Sequence, residues 1–412
     1  MMMHRVLAGV TATVLAAGLL AVEVTPVSAT TVSVATEAEY RNALTALSGD
    51  NSGPHVIEVT ADITIAGATD PAYAGTQPLT INGNGHTING DNNSRVLFFN
   101  SSALVTMNDL TVTGGTQAGD GGGVVALGAV TVDNSAFTAN TSTGTSALGG
   151  AINAAGAVSV TNSSFVGNSA TASSGGIAFG GAIRSPLLVT VTNSSFSANT
   201  AIAPGGFGGA GAISTLAGVT ATNSTFTGNT AGNIGGAIAV GDGPSTFVYV
   251  TLASNAAPTG AQVLIDDGAE ILPFGTVFAD PLGGGANCVQ FGVASSGYNY
   301  ATDDSCGLTG TGDTQDGADP QLQPIGAYGG TTQTRPPAVT SPLVDAIPSA
   351  ACDPTVTTDQ RGLPRPADGN DDGTNGCDIG AVELQPTPPP ASPASPAGRV
   401  VGPVAARPTF TG

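Results

Sequence analysis

The chain has 412 residues, 60 of them glycine, with no tryptophan, a formal net charge of −20 and only 9% charged residues. All 9 basic residues are arginine, so no basic stripe exists for nucleic acid or for an anionic lipid surface, and both are excluded as partners. With 41% apolar residues and so little charge, the chain is not a disordered polyelectrolyte either.

Residues 1–29 read as an export signal: Arg5 supplies the positive end, Val6 to Val22 is an apolar run, and Val27-Ser28-Ala29 is a small-residue cleavage pattern. Thr11 and Thr13 interrupt the run, which is short for a membrane span. No second apolar span occurs later, so the expected product is secreted or cell-surface associated, with no transmembrane segment in the mature chain. Next, Glu37 to Leu47 has helical spacing and should cap the first coil of a repeating β structure, with His55 to Ile65 as the first strand region.

The centre of the chain is a repeat. Asp133-Asn134-Ser135-Ala136-Phe137-Thr138-Ala139-Asn140 recurs as Thr161 to Asn168, Thr192 to Asn199 and Thr222 to Asn229. Between these units sits Gly149-Gly150-Ala151-Ile152, echoed at Gly180 to Ile183, Ala210 to Ile213 and Gly235 to Ile238. Weaker copies place Leu110 before the array and Leu252 and Phe278 after it. Each unit is rich in Val, Thr, Ile and Ser with alternating runs such as Val158-Ser159-Val160-Thr161, which favours strands, and its glycines would each cost a helix about 1 kcal/mol. The expected fold is all-β: a right-handed parallel β-helix, or solenoid, over residues 30–285. One inward column should run Leu110, Phe137, Phe165, Phe196, Phe226, Leu252, Phe278. A second should run Asn140, Asn168, Asn199, Asn229, Asn255, with these asparagines at turns, tolerating the left-handed conformation and hydrogen-bonded from coil to coil. Gly-Gly before Ile marks a turn too tight for a Cβ. The Asn-x-Ser/Thr triplets at Asn162, Asn193 and Asn223 are read as turn chemistry.

Composition changes at residue 286. Residues 286–385 are expected to form a small loop-rich module. Its four cysteines permit three pairings, of which the sequence-local Cys288–Cys306 and Cys352–Cys377 are preferred in an exported chain. Asp368-Gly369-Asn370-Asp371-Asp372-Gly373 fits half of a calcium loop. Asp368, Asn370 and Asp372 would supply oxygens, and Asp378 would replace the missing twelfth-position ligand, since Ile379 stands there. Calcium is therefore the one candidate cofactor, against the alternative of a solvated acidic turn. Residues 386–412 form a Pro/Ala-rich tail with no structure expected.

The paired Phe-x-x-Asn and Gly-Gly-Ala-Ile motifs, over about residues 75–285, resemble the repeats of polymorphic outer membrane proteins and related bacterial β-helix proteins. Ser296-Gly297-Tyr298-Asn299, Asp304-Ser305-Cys306-Gly307, Ser341 to Ala346, Thr358 to Gly362 and Cys377 to Glu383 resemble, in that order, the C-terminal region of the choice-of-anchor family of exported bacterial proteins. The resemblance implies display at a bacterial surface.

Many β-helices cleave polysaccharides, by an Arg or Lys base beside calcium-holding carboxylates or by paired carboxylates. From Ala103 to Ile265 the acidic residues are Asp109, Asp120, Asp133 and Asp242, and the only basic one is Arg184. Aligned on the Phe column, with Leu110 under Phe137, Asp109 and Asp133 fall one coil and three residues apart, roughly 11 Å, too far for a glycosidase pair. Asp266 and Asp267 should face opposite sides of a strand, and His86 reads as a surface residue. The preferred reading is a non-catalytic surface protein that adheres to, or presents ligands to, surface carbohydrate or protein. A polysaccharide lyase or hydrolase and a passive stalk are the alternatives.

Overall fold

The computed structural model describes residues 29–266, 268–289 and 292–387; the proposed signal up to residue 28, Asp267 and the tail from residue 388 lie outside them. The chain coils into an all-β parallel solenoid of about 10 turns. Among the described residues its three faces are sheets of 18, 8 and 6 strands. One full coil shows the pattern: Val158–Thr161 and Ser164–Val166 on the broad face, Ser169–Phe179 on a hydroxyl-rich face, and Ile183–Ser185 on an isoleucine face. Register is kept from coil to coil, as in Val130↔Val158↔Val189↔Val219 and Ile152↔Ile183↔Ile213↔Ile238.

The amino-terminal helix spans Glu37–Ser48 and buries Tyr40, Ala43, Leu44 and Leu47. Thr36 caps it: its Oγ1 accepts the Glu39 N–H at 3.3 Å while the Glu39 carboxylate accepts the Ala35 N–H at 2.8 Å. The first strand lies before the helix rather than after it. Thr30–Val34 pairs with His55–Val59, so His55 to Ile65 belongs to the second coil. Thr36→Ala should cost about 1 kcal/mol, the usual loss of an N-cap, visible as an earlier urea midpoint at unchanged slope.

Inside the stack, Phe137, Phe165, Phe196 and Phe226 lie face over face with ring centroids 4.9, 4.7 and 4.9 Å apart. Leu252 and Phe278 continue that column. Leu110 does not belong to it. Val112 lies in register with Phe137, because the coil at this point is 25 residues long and not the 27 that aligning Leu110 demands. Leu110, also buried, instead occupies the place that serine takes in later coils: its N–H donates to Ser135 Oγ, and Ser135, Ser163 and Ser194 each donate their N–H to the serine hydroxyl one coil on.

The asparagine column is internal. The Nδ2 of Asn140, Asn168, Asn199 and Asn229 donates to the Oδ1 of the next asparagine at 2.9, 2.9, 2.9 and 2.8 Å, ending at Asn255. Each Nδ2 also donates to a backbone carbonyl, those of Val112, Phe137, Phe165 and Phe196 for the four in order. Asn255 Nδ2 donates to Gln262 Oε1 at 2.6 Å, which closes the series. These asparagines are not themselves left-handed. The residue before each one is: Ala139, Gly167, Ala198, Gly228 and Ser254 have φ between 52° and 64°. That frees the amide to point inward. In the glycine turn, Gly149 has φ 63°, and a Cβ on Gly150 would stand 2.1 Å from the Gly181 carbonyl oxygen of the coil above.

Coiling continues past the compositional break at 286. Val263 bridges to Cys288, Ile271 to Val293, and Val277 pairs with Tyr300, which bridges to Thr314. The Cys288–Cys306 disulfide sits in this last coil, and Cys352–Cys377 in the segment beyond it. From about residue 315 the chain turns back and lies along the broad face. Thr332 donates to Asn193 O, Asn223 Nδ2 to Thr358 O, Thr225 to Gln360, Arg335 to Thr227 and Ser254, and Gly380 N–H to Gly275 O. The burial pattern records the cover. Outward residues are part-exposed in Ala136–Thr138 and Ser164–Val166, but Ser195, Ser197, Thr225 and Thr227 at the same positions are buried.

Candidate functional site

A groove follows the isoleucine face. Its floor is the outward register Arg184↔Ser214↔Ala239↔Leu264. Alternation explains the wall: in Ser169–Phe179, Ala178 points into the stack, so Phe179 points out. Two adjoining hollows of about 170 and 270 Å³ share Phe179, Ser214, Thr215 and Leu216, with Arg184 lining the first and Phe207 and Asp266 the second. The Phe179 and Phe207 rings lie 5.7 Å apart at 44°. Phe207 is 39% and Leu216 52% exposed. The groove therefore offers apolar platforms, hydroxyls and one guanidinium. Asp266 stands three coils and two residues from Arg184, roughly 16 Å at parallel-strand spacing. Both phenylalanines escape the repeat pattern because they lie off the Phe-x-x-Asn unit; the signal was the duplicated Phe-Gly-Gly-Ala at Phe179 and Phe207.

The remaining basic and acidic candidates are placed elsewhere. Arg95 is an internal clamp: Nε donates to Gly121 O, Nη2 to Asp120 O and Nη1 to Asp70 at 2.5 Å. His86 pairs with exposed Asp62 at 3.4 Å. The pair Asp109 and Asp133 sits closer than the Leu110 alignment implies. Asp133 is in register with Asn108, so Asp109 aligns with Asn134, whose Nδ2 donates to it. The carboxylates are one coil and one residue apart.

Asp368, Asn370 and Asp372 do meet in one turn, where their side-chain oxygens accept the N–H groups of Asp372, Gly373 and Thr374. Asp378 does not join them. It is wholly buried and accepts the N–H groups of Asp345 and Leu384 at 2.8 and 2.7 Å. No cluster of three or more His, Cys, Asp or Glu suited to a metal occurs among the described residues.

Asp378 belongs instead to the polar centre of the folded-back module. Arg365 pairs with Glu383 at 2.8 Å with both side chains fully buried, donates to Asp378 O and Gly380 O, and lies 3.9 Å over the Tyr249 ring. Tyr249 is the solenoid's docking post, its hydroxyl accepting the Asp353 N–H at 2.9 Å. Burial pushes the Asp378 carboxyl up to about 6 and raises Glu383 as well, against the pull of Arg365 and of backbone donors.

The family described as "Putative pectate lyase-like adhesive domain" matches residues 31–157, the capping helix and the first coils. No curated protein and no solved structure matches the chain. No helix among the described residues is long and apolar enough to cross a membrane, which leaves strand-built spans untested. The chain is thus an all-β parallel solenoid with two disulfides that carries, over residues 31–157, a likeness to an adhesive domain.

Proposed function

We propose that the protein is a non-catalytic adhesive β-helix displayed outside the cell, and that the groove along the isoleucine face is its contact surface. One observation carries the reading: Phe207 and Leu216 are exposed beside half-buried Phe179 and the polar Ser214, Thr215 and Arg184 in one continuous groove. Contiguous exposed apolar surface with a few convergent polar groups marks binding. The adhesive-domain match supports an adhesive role. The disulfides and the resemblance to polymorphic outer membrane repeats and to the choice-of-anchor region support a surface location.

The polysaccharide-lyase alternative requires a base and carboxylates around one sugar ring, whereas Arg184 and Asp266 lie at opposite ends of the groove. A glycan array paired with an assay for released reducing ends separates the two. Binding without release is expected, with Phe207→Ala and Arg184→Ala each weakening it about tenfold, the scale of an aromatic platform or a charged contact. Release of sugar by the wild-type protein, lost in Arg184→Ala, would establish the lyase instead.

A further inference from the structure

The left-handed turn residues of the broad face form a column down the solenoid: Asp109, Asn134, Asn162, Asn193, Asn223, Tyr249 and Gly275, with φ between 44° and 56°. The folded-back module lies on this column from Asn193 to Gly275. Its hydrogen bonds there run from hydroxyl or amide to carbonyl and from amide to hydroxyl, with the Arg365 guanidinium over the Tyr249 ring. At its edge the column runs on uncovered, and the module's Thr331 walls a cleft of about 170 Å³ there. Asp109, Asn134, Asn162, Ser164 and Thr111 line its other sides.

We infer that this cleft binds a single neutral sugar residue of a glycan. Three observations select that class. First, the size is below the roughly 300–1,000 Å³ of a drug-sized pocket and suits one ring. Second, the groups on offer are acceptors and rotatable hydroxyls. Asp109 uses one carboxylate oxygen to take the Asn134 N–H, and Ser164, Thr111 and Thr331 bring hydroxyls. A sugar presents a rim of O–H donors that matches them. A peptide strand matches them poorly, because the solenoid's backbone N–H and C=O groups on this face are spent between coils and none is left for strand addition. Third, one coil inward, Asn193 Oδ1 and Ser195 Oγ are buried without a hydrogen-bond partner, so acceptor capacity continues under the module's edge. An anionic sugar is disfavoured by Asp109 and by the net charge of −20.

The site is separate from the groove on the isoleucine face, and the inference does not rest on it. Saturation-transfer NMR and calorimetry on the full chain test it, using the methyl glycosides of glucose, galactose, mannose and N-acetylglucosamine, with methyl galacturonoside for comparison. At least one neutral glycoside should bind saturably and the acidic one should not. Asp109→Ala and the cleft-filling Thr331→Trp should each weaken binding at least tenfold with the strand signature in circular dichroism kept, whereas Phe207→Ala should leave binding unaltered. Absence of binding by every neutral glycoside, or equal binding by wild type, Asp109→Ala and Thr331→Trp, overturns the assignment. Loss of binding in Phe207→Ala alone would move the sugar to the groove and overturn it too.

Discussion

Asn199→Ala should destabilise the solenoid by about 2–4 kcal/mol, because a buried polar group left unpaired costs about 1–3 kcal/mol. The Asn199 side chain serves four partners: Asn229 Oδ1 and Phe165 O accept from it, and the Asn168 N–H and Nδ2 donate to it at 2.9–3.0 Å. Alanine leaves the buried Asn168 N–H and Phe165 O without this amide, while Asn168 Nδ2 keeps Phe137 O and Asn229 Oδ1 keeps the backbone N–H of residue 199. The loss should appear as a lower urea midpoint, while Thr190→Ala, an outward residue on the same coil, should stay within about 0.5 kcal/mol. A cost for Asn199→Ala below about 1 kcal/mol would show that the amide column contributes no more than ordinary surface polarity.

Arg365→Ala is expected to release the folded-back module. It leaves the wholly buried Glu383 without its counter-charge, a loss of about 3–5 kcal/mol when one member of a buried pair is removed, and it uncovers Tyr249. The chain has no tryptophan and 6 tyrosines, so tyrosine emission, to which Tyr249 contributes, can report the change, together with faster proteolysis between residues 331 and 336. The solenoid itself should keep its strand signature in circular dichroism. Acidity acts on the same centre. The folded state raises Asp378 from an ordinary 3.8 to about 6, so it binds a proton more tightly than the unfolded chain does. The contribution is full at the acid end and is lost as pH rises through about 6, at up to about 1.4 kcal/mol per unit for one proton. Module release on heating should therefore come later at pH 5 than at pH 8, and Asp378→Asn should reduce the difference, leaving the part that the likewise raised Glu383 contributes. A release temperature that climbs with pH would contradict the role given to burial.

The aromatic column was legible because a stacked ring must recur once per coil, and Phe137, Phe165, Phe196 and Phe226 sit in a repeat with few other large residues. Leu110 misled for the same reason: it is the large apolar residue nearest the expected spacing, while smaller Val112 holds the true register. The turn asparagines were visible as residue types, but which one faces inward depends on the left-handed residue before it, and Ala139 and Ala198 give no hint of that conformation. The serine series was hidden inside Asn-Ser-Ser, where two hydroxyls are adjacent and only register separates them. The fold-back of the module had no periodic signature at all. Its contacts join residues 81 to 166 positions apart, and nothing in the spacing of Thr332, Thr358 or Gln360 points to Asn193, Asn223 or Ser194.

A stack of identical turns ordinarily frays from whichever tip is weaker, one turn at a time. Here the last folded stretch lies sideways across the turns that begin near Val189, Val219, Ser245 and Ile271, touching each of them like a splint. Those four can only come apart together, so any loosening under load must start at the amino-terminal half, and the splinted half should survive as a unit.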